Sequence, residues 1–203
     1  MASNIIVIGA GAAGLITAGR AAELGARVLV VEKMDEAGKK ILITGKERCN
    51  LSNAAPLEEF LTYYGDNGAF LRNGFHRFFR EGLLALLSRY GVATQIERGG
   101  RIFPTSGSAV DVRDAILRYA IDHGARIRYG SPCEHLLTEG AALRGVQLRS
   151  GEALTANAVI LATGGASWPG TGSTGDGYRM AVEAGHTLIP LRPALVPLTV
   201  MEK

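Results

Sequence analysis

The sequence has few cysteines, little net charge and no long apolar run, and each absence narrows the possible functions. Its 2 cysteines, Cys49 and Cys133, are too few for a disulfide framework, so a reducing, cytoplasmic location is expected. A net charge of +3 is too small to indicate a nucleic acid or an anionic membrane as a partner. The sequence has no stretch of about 18 uncharged apolar residues, so no membrane-spanning helix is predicted. The first apolar run begins at Ile5 and leads directly into glycines, which argues against a secretory signal peptide.

The most informative stretch is NIIVIGAGAAG, close to the N-terminus. Its apolar run, Ile5–Ile8, is short, continuous and β-branched, which predicts a buried parallel strand. The glycines that follow fit the pattern GxGxxG. Gly9 allows the tight turn, Gly11 allows a pyrophosphate to approach the backbone, and Gly14 allows a helix to pack close to the strand.

The residues after these glycines predict a nucleotide-binding β-α-β unit. A helix is predicted from Leu15 to Leu24 and a second strand from Arg27 to Val31. The N-terminus of such a helix offers free N–H groups and a positive dipole end to phosphates. Glu32 lies 18 residues after Gly14, where this fold places the acid that bonds ribose hydroxyls. A glycine turn that binds no nucleotide is the alternative, and the acid makes it the weaker one.

The middle of the chain predicts a loop, a helical region and a small β-meander. Residues 34–53 have no clear period and are rich in glycine and lysine, so they are predicted to form a functional loop beside a phosphate-bearing ligand; a solvated surface loop is the alternative. Residues 55–91 are predicted to be helical, with their phenylalanines packed in the core. Residues 98–104 are predicted as a glycine-rich loop. Short antiparallel strands are predicted at 133–137, 142–148 and 152–156.

Between these segments a helix is predicted to start at a Ser108 cap and to end near Asp122, followed by a strand at Arg126–Tyr129. A second glycine turn then follows the apolar strand Val159–Ala162, and a helix is predicted from Tyr178 to Ala184. Ligands of open α/β sheets bind outside the carboxyl ends of the strands, so the two glycine turns should converge on one crevice.

Five blocks of the sequence resemble one known family. They are GAGAAGL, VEK, GKKILITGKERCNLSN, GGRIFP and ILATGGASWPGTGSTGDGY. Together they are similar to the bacterial YhiN/BaiN-like flavoproteins, which belong to the flavoproteins with two dinucleotide-binding domains. The resemblance covers nearly the whole chain. It implies an α/β fold: a Rossmann-like FAD/NAD(P)-binding domain with a parallel sheet and a small antiparallel β-meander.

The resemblance also implies non-covalently bound FAD and an oxidoreductase that transfers hydride between a small organic substrate and the flavin, with NAD(P)H as a candidate electron donor. It implies the following cofactor-binding residues: Gly9, Gly11, Ala12, Ala13, Gly14, Glu32, Lys33, Lys40, Arg48, Asn50, Ala162, Thr163 and Gly164. Glu47 departs from the family pattern, because a glycine commonly precedes the RCN block. No catalytic acid or base and no metal ligand is assigned. Cys49 is the one candidate redox thiol, since Arg48 would favour its thiolate, although a packing or flavin-lining role is preferred.

Members of the family are about twice this length. The resemblance therefore implies a FAD-binding domain over 1–190, interrupted by the helical segment at about 55–91, and a connector over 191–203 to a substrate domain outside this sequence. Two other functions remain open. One is an NAD(P)-binding dehydrogenase, because Glu32 favours a free 2′-hydroxyl. The other is an RNA-acting or non-catalytic flavoprotein, for which Arg72, Arg77 and Arg80 near phenylalanines are a faint signal.

Overall fold

A computed structural model describes residues 2–193 and contains three β-sheets and seven α-helices in that range. The strands are β1 (Asn4–Ile8), β2 (Arg27–Val31), β3 (Ser52–Asn53), β4 (Thr94–Ile96), β5 (Arg101–Pro104), β6 (Arg126–Arg128), β7 (Cys133–Glu139), β8 (Ala142–Leu148), β9 (Ala153–Thr155) and β10 (Ala158–Leu161). The helices are α1 (Ala12–Glu23), α2 (Lys39–Ile43), α3 (Leu57–Thr62), α4 (Gly68–Arg77), α5 (Arg80–Arg89), α6 (Ala109–Asp122) and α7 (Asp176–Glu183).

The central sheet is parallel and has the strand order β10-β1-β2-β6. Because β1 is flanked by β2 on one side and by β10 on the other, the chain reverses its direction of growth across the sheet at β1. This is the switch point at which α/β sheets bind ligands. The two other sheets are antiparallel, with the orders β3-β5-β4 and β7-β8-β9. The α/β, Rossmann-like fold with an antiparallel meander is therefore confirmed.

Both faces of the parallel sheet are covered, which explains why its strands are apolar throughout. Val7, Val28 and Val30 belong to one buried cluster with residues of α1 and α6. Ile6 and Ile8 point to the opposite face, where they pack with residues of β8 and α7. The period-two alternation of each strand thus feeds two separate cores, one on each side of the sheet.

Several predicted boundaries are wrong in ways that have a local cause. Helix α1 begins at Ala12, three residues before the predicted start, because the glycine fingerprint itself forms the first helical turn. The predicted 34–53 loop contains the short helix α2 and strand β3. The predicted loop at 98–104 ends in strand β5, which pairs with both β3 and β4. Ser108 does precede α6, but its side chain makes no capping hydrogen bond.

The predicted core packing of the phenylalanines between residues 55 and 91 is also wrong. The region forms three helices, α3 to α5, and Phe75 and Phe79 pack mainly against each other and Phe60, with ring centroids 5.1–5.6 Å apart. Phe70 is 87% exposed and Phe78 is exposed as well. The predicted helical period is correct, but the apolar residues that it aligns belong to three short helices that pack on one another rather than on the sheet.

Most of the predicted 191–203 connector lies outside the described residues, which end at residue 193. Residues 186–193 have no regular secondary structure and are exposed.

Candidate functional site

A cleft of about 710 Å³ opens at the carboxyl ends of β1 and β10. This volume lies within the range of about 300–1,000 Å³ that is typical of cofactor and small-molecule sites. Most of the lining residues come from four segments: the first glycine turn with the start of α1, the end of β2 with α2, the second glycine turn after β10, and the loop that leads into α7. The loop after α2, helices α5, α6 and α7, and the start of β7 add the others. The predicted convergence of the two glycine turns on one crevice is confirmed.

Each of the three fingerprint glycines is explained by a different structural feature. Gly9 has φ +102°, and a Cβ on it would lie 2.6 Å from the Ala162 carbonyl oxygen, so it permits both the turn and the approach of the second turn. Gly11 has an ordinary φ of −77°, and nothing lies within 4 Å of the position that its Cβ would take. Gly14 faces the strand, where a Cβ would lie 1.9 Å from the Gly9 carbonyl oxygen.

Gly11 therefore leaves free space in the cleft, directly at the N-terminus of α1. Ala12 and Ala13, the first two residues of that helix, also line the cleft. Their amide groups are among the first four of the helix, which have no intrahelical acceptor. Gly14 does not line the cleft and acts in packing instead.

The second turn is held against the first by backbone and packing contacts. The amide of Ala162 donates to the Ile8 carbonyl at 2.9 Å. Gly164 has φ +75° and lines the cleft together with Thr163. Helix α7 packs close behind this turn, because a Cβ on Gly177 would lie 2.2 Å from Thr163 Oγ1. The second wall of the cleft is thus fixed from both sides.

Glu32 lies at the end of β2 with only 8% of its surface exposed. Its Oε2 accepts a hydrogen bond from the Ala10 amide at 2.6 Å, and its Oε1 accepts one from the Met34 amide at 2.8 Å. The carboxylate therefore spans the first glycine turn and the start of the β2–α2 loop. It lines the cleft at the position where Rossmann folds hold a ribose, and ribose binding by Glu32 stays a prediction.

Lys33 connects the two sides of the cleft. Its Nζ donates to Asp176 Oδ2 and to Thr174 Oγ1, both at 2.6 Å, and Thr174 Oγ1 donates to the same carboxylate oxygen at 3.0 Å. Burial raises the pKa of Asp176, but the hydrogen bonds from Lys33 and Thr174 outweigh it, so the pKa lies below its ordinary value. We call this group of Lys33, Thr174 and Asp176 the lysine clasp.

Lys40 makes a second connection across the cleft. Its Nζ donates to the Ser167 carbonyl at 3.0 Å and to Ser173 Oγ. Asn50 lines the same cleft at the end of the 44–50 loop. The loop after β10 is thus tied by two lysines to the β2–α2 segment.

Arg48 lies elsewhere. It does not line the cleft; its guanidinium pairs with Glu97 and stacks 4.3 Å from the centroid of the Phe103 ring. Burial raises the pKa of the Cys49 thiol, with a hydrogen bond from Thr44 opposing it, so its surroundings do not favour the thiolate that a redox role needs. Cys49 belongs to the core cluster beside the sheet and also lines the cleft, which agrees with the packing role and leaves the flavin-lining role a prediction.

Eleven of the thirteen predicted cofactor-binding residues line the cleft, and Gly14 and Arg48 do not. Contact with a cofactor remains a prediction for all of them. The sequence prediction missed a further group that does line the cleft: Thr171, Gly172, Ser173, Asp176 and Tyr178. The signal was present in the run TGSTGDGY, whose small and hydroxyl residues sit beside the second glycine turn.

Residues 2–193 lack two kinds of feature. None of the helices in this part of the chain is both long and apolar enough to cross a membrane. Nor does this part of the chain bring three or more histidine, cysteine, aspartate or glutamate side chains together as a metal site.

Comparisons with known proteins identify the family of the chain. Residues 3–199 match the family described as HI0933-like protein Rossmann domain. The chain is 36% identical over 201 residues to the 3-dehydro-bile acid delta(4,6)-reductase of Clostridium scindens, covering 98% of this chain and 48% of that protein. It is 31% identical over 197 residues to the ribosomal RNA dihydrouridine synthase of Escherichia coli, covering 97% of this chain and 48% of that protein.

The chain thus spans about half the length of these curated relatives. Among solved structures, the open conformation of a flavocytochrome c3 fumarate reductase shares the fold with a TM-score of 0.64 at 21% identity, over 92% of this chain and 41% of that one. The family resemblance stated from the sequence motifs is confirmed. The chain belongs to the HI0933-like family, and residues 3–199 correspond to its Rossmann domain.

Proposed function

We propose that this chain is the FAD-binding part of an oxidoreductase that passes hydride between flavin and a small organic substrate. The observation that carries the proposal is the meeting of two glycine turns, 150 residues apart in sequence, on one cleft beside Glu32. One turn alone suits any phosphate. Two turns with a carboxylate at the end of β2 suit an elongated dinucleotide.

The cleft meets the requirements of FAD at its phosphate end. The open space at Gly11 is a cradle that a Cβ would begin to fill, and the amides of Ala12 and Ala13 supply donors there. Glu32 is already oriented by two backbone amides. When bound, FAD would supply the redox chemistry, and the residues of this chain would hold and orient it.

The names of the two relatives suggest the substrate chemistry. A delta(4,6)-reductase and a dihydrouridine synthase are both named for the reduction of a ring double bond. We extend this class to the present protein: bound FAD, once reduced by NAD(P)H, would supply the hydride for the reduction of a ring carbon–carbon double bond, and an acid would supply the proton. This chain would contribute the cofactor site.

The first experiment is a titration of the purified chain with FAD, followed by flavin absorbance and by the quenching of free-flavin fluorescence. We expect binding at a ratio of one FAD per chain, and weaker binding for Gly11→Ala because its methyl group enters the free space of the cleft. A matched control is Gly74→Ala in α4, since Gly74 has no positive φ, its Cβ would meet no atom within 4 Å, and it does not line the cleft. A folded chain that binds no FAD would contradict the proposal.

A calorimetric titration with NADH separates this proposal from the NAD(P)-dehydrogenase function. We expect FAD to bind this cleft and to block any binding of NADH to it. Tight binding of NADH by a chain that does not take up FAD would favour the dehydrogenase instead.

A second candidate function, action on RNA, is favoured by the relative named ribosomal RNA dihydrouridine synthase. The arginines that the sequence indicated as a faint RNA-binding signal have different environments in the structure. Arg80 donates to the carbonyls of Asn53 and Ala55 at 2.8 and 2.7 Å, so it stabilises the fold, whereas Arg77 is exposed beside Phe78.

The test of this candidate is the binding of a ribosomal RNA fragment at several salt concentrations. If RNA is bound at α4, Arg77→Ala should weaken binding and reduce the salt slope by about 1. Arg144→Ala, which removes an exposed arginine of the meander, is the matched control. Equal binding by both variants and the parent would exclude this surface.

A further inference from the structure

The loop after the second glycine turn presents Trp168, the only tryptophan of the 203 residues, to solvent. Its side chain is 69% exposed. A single exposed apolar residue needs no explanation by itself. The backbone makes this one unusual, because Trp168 has φ +61° and ψ +67°, a left-handed conformation that is unfavourable for a bulky residue.

Several hydrogen bonds hold this conformation. The Trp168 carbonyl accepts from the amide of Thr171 at 3.0 Å and from its Oγ1 at 2.9 Å. The amide of Gly172 donates to the Pro169 carbonyl at 2.9 Å. The tryptophan is therefore fixed by its surroundings in a strained state, which is the pattern found at ligand-binding positions.

The loop is also fixed relative to the cleft. Lys40 Nζ donates to the carbonyl of Ser167, the residue before the tryptophan, and Lys40 lines the cleft. Thr171 and Gly172, a few residues after the tryptophan, line the cleft too. Trp168 thus lies on a loop at the rim of the cleft, and residues on both sides of it in the sequence contact or line the cleft.

We propose that Trp168 is a stacking platform for the planar, conjugated carbonyl ring of the substrate at the rim of the cofactor cleft. The proposal rests on the proposed function, since it assumes that substrate and cofactor meet at this cleft. An indole offers a large rigid face to a flat ring, and a fixed backbone avoids the entropic cost of ordering the loop on binding. A saturated ring is puckered and offers less contact.

The experiment compares planar rings with their saturated counterparts on the FAD-saturated chain. One pair of probes is uridine and 5,6-dihydrouridine; the other is a 4,6-dien-3-one steroid acid and the matching 3-oxo acid without ring double bonds. Affinities come from calorimetry, and the emission of the single tryptophan reports contact at the loop. We expect the planar member of one pair to bind more tightly and to change the tryptophan emission, and the responding pair identifies the source of the ring.

Trp168→Ala should weaken binding of the planar probe about tenfold, as for other aromatic stacking residues, and should abolish its preference over the saturated probe. Trp168→Phe should retain part of the preference. Phe70→Ala, which removes another highly exposed aromatic residue from α4, is the matched control and should change neither affinity. The melting temperature of the chain without ligand should be the same for Trp168→Ala and the parent, because the indole has few packing contacts.

Equal affinities of Trp168→Ala and the parent for all four probes, or planar binding that leaves the tryptophan emission unchanged, would overturn the inference. The FAD titration distinguishes a failure of this inference from a failure of the proposed function. A chain that binds FAD but shows no tryptophan-dependent preference contradicts only the role of Trp168, whereas a folded chain that binds no FAD contradicts the proposed function as well.

Discussion

The two fingerprint glycines Gly11 and Gly14 lie three residues apart, yet the structure predicts opposite results for their replacement by alanine. A Cβ on Gly14 would lie 1.9 Å from the Gly9 carbonyl oxygen and 3.3 Å from the Ala162 Cβ. Neither neighbour can rotate away, because one is backbone and the other is a methyl group on the second turn. Helix α1 would have to move off the sheet.

The size of the effect follows from this geometry. Overpacking of a rigid interior costs about 1–3 kcal/mol and sometimes more, and a backbone clash belongs at the upper end, so we expect Gly14→Ala to lower the free energy of unfolding by about 3 kcal/mol. For a domain of this size that is a fall in melting temperature of roughly 6–12 °C. Gly11→Ala meets no atom within 4 Å and has an ordinary φ, so we expect its unfolding free energy to change by less than about 0.5 kcal/mol.

Urea unfolding followed by circular dichroism, without FAD, measures both variants under the same conditions, and a FAD titration then completes the comparison. Gly14→Ala should lose stability, whereas Gly11→Ala should lose cofactor affinity at unchanged stability. A Gly14→Ala chain as stable as the parent would refute the close approach of α1 to the first turn. Equal losses of stability in both variants would refute the separate roles of the two glycines.

Three further predictions follow from single residues. Glu47 has φ +65°, so Glu47→Gly should relieve backbone strain and raise the urea midpoint, with a gain of about 0.5–1 kcal/mol after the greater flexibility of glycine in the unfolded chain is subtracted. Burial, with the hydrogen bond to Glu23, raises the pKa of Tyr119 from 10 to about 12. The stabilising contribution of the neutral phenol is complete below pH 10 and is lost as the pH rises through 12, so between these values the melting temperature of Tyr119→Phe should fall less than that of the parent. At pH 7 the lost hydrogen bond should lower the free energy of unfolding by about 1 kcal/mol. Asp176→Asn should weaken the lysine clasp and lower the free energy of unfolding by about 1 kcal/mol at pH 7, measured by urea unfolding. Because folding lowers the pKa of Asp176, its stabilising contribution is present above about pH 4 and is lost as the pH falls further, so the variant and the parent should become equally stable in acid. In a Lys33→Met background the same substitution should change the free energy of unfolding less, because the partner of the carboxylate is already gone.

The parts of the fold that the sequence predicted well are those set by short-range constraints. A β-branched run followed by Gly9 can form little other than a buried strand and a tight turn, and the same holds for the strand before Gly164. The meander followed from turn residues such as Gly140 and Gly151, which have φ +59° and +87°. These signals act within a few residues and need no knowledge of the rest of the molecule.

The parts that were wrong depend on contacts between distant segments. Strand β5 was predicted as part of a loop because Gly99 and Gly100 directly precede it. It forms a strand because β3 and β4 pair with it on both sides. The pairing of Arg48 was not foreseen either, since its partners Glu97 and Phe103 lie about 50 residues later; Arg48 does not line the cleft, and its contact with a cofactor stays a prediction. The clasp at Asp176 was missed for the same reason, since its lysine lies more than 140 residues earlier.

The pairing of β1 with β10 has a consequence for the order of events during synthesis. Ile5 pairs with Ala158, 153 positions later in the chain, so the sheet closes only after almost the whole described chain has left the ribosome. At roughly 5–20 residues per second this delay is about 8–30 s. During that time β1 has one unpaired edge, and contacts of such high sequence separation form slowly. The proposed cofactor site needs the turn after β10, so it is complete only late in synthesis, and until then the open edge of β1 is exposed to aggregation.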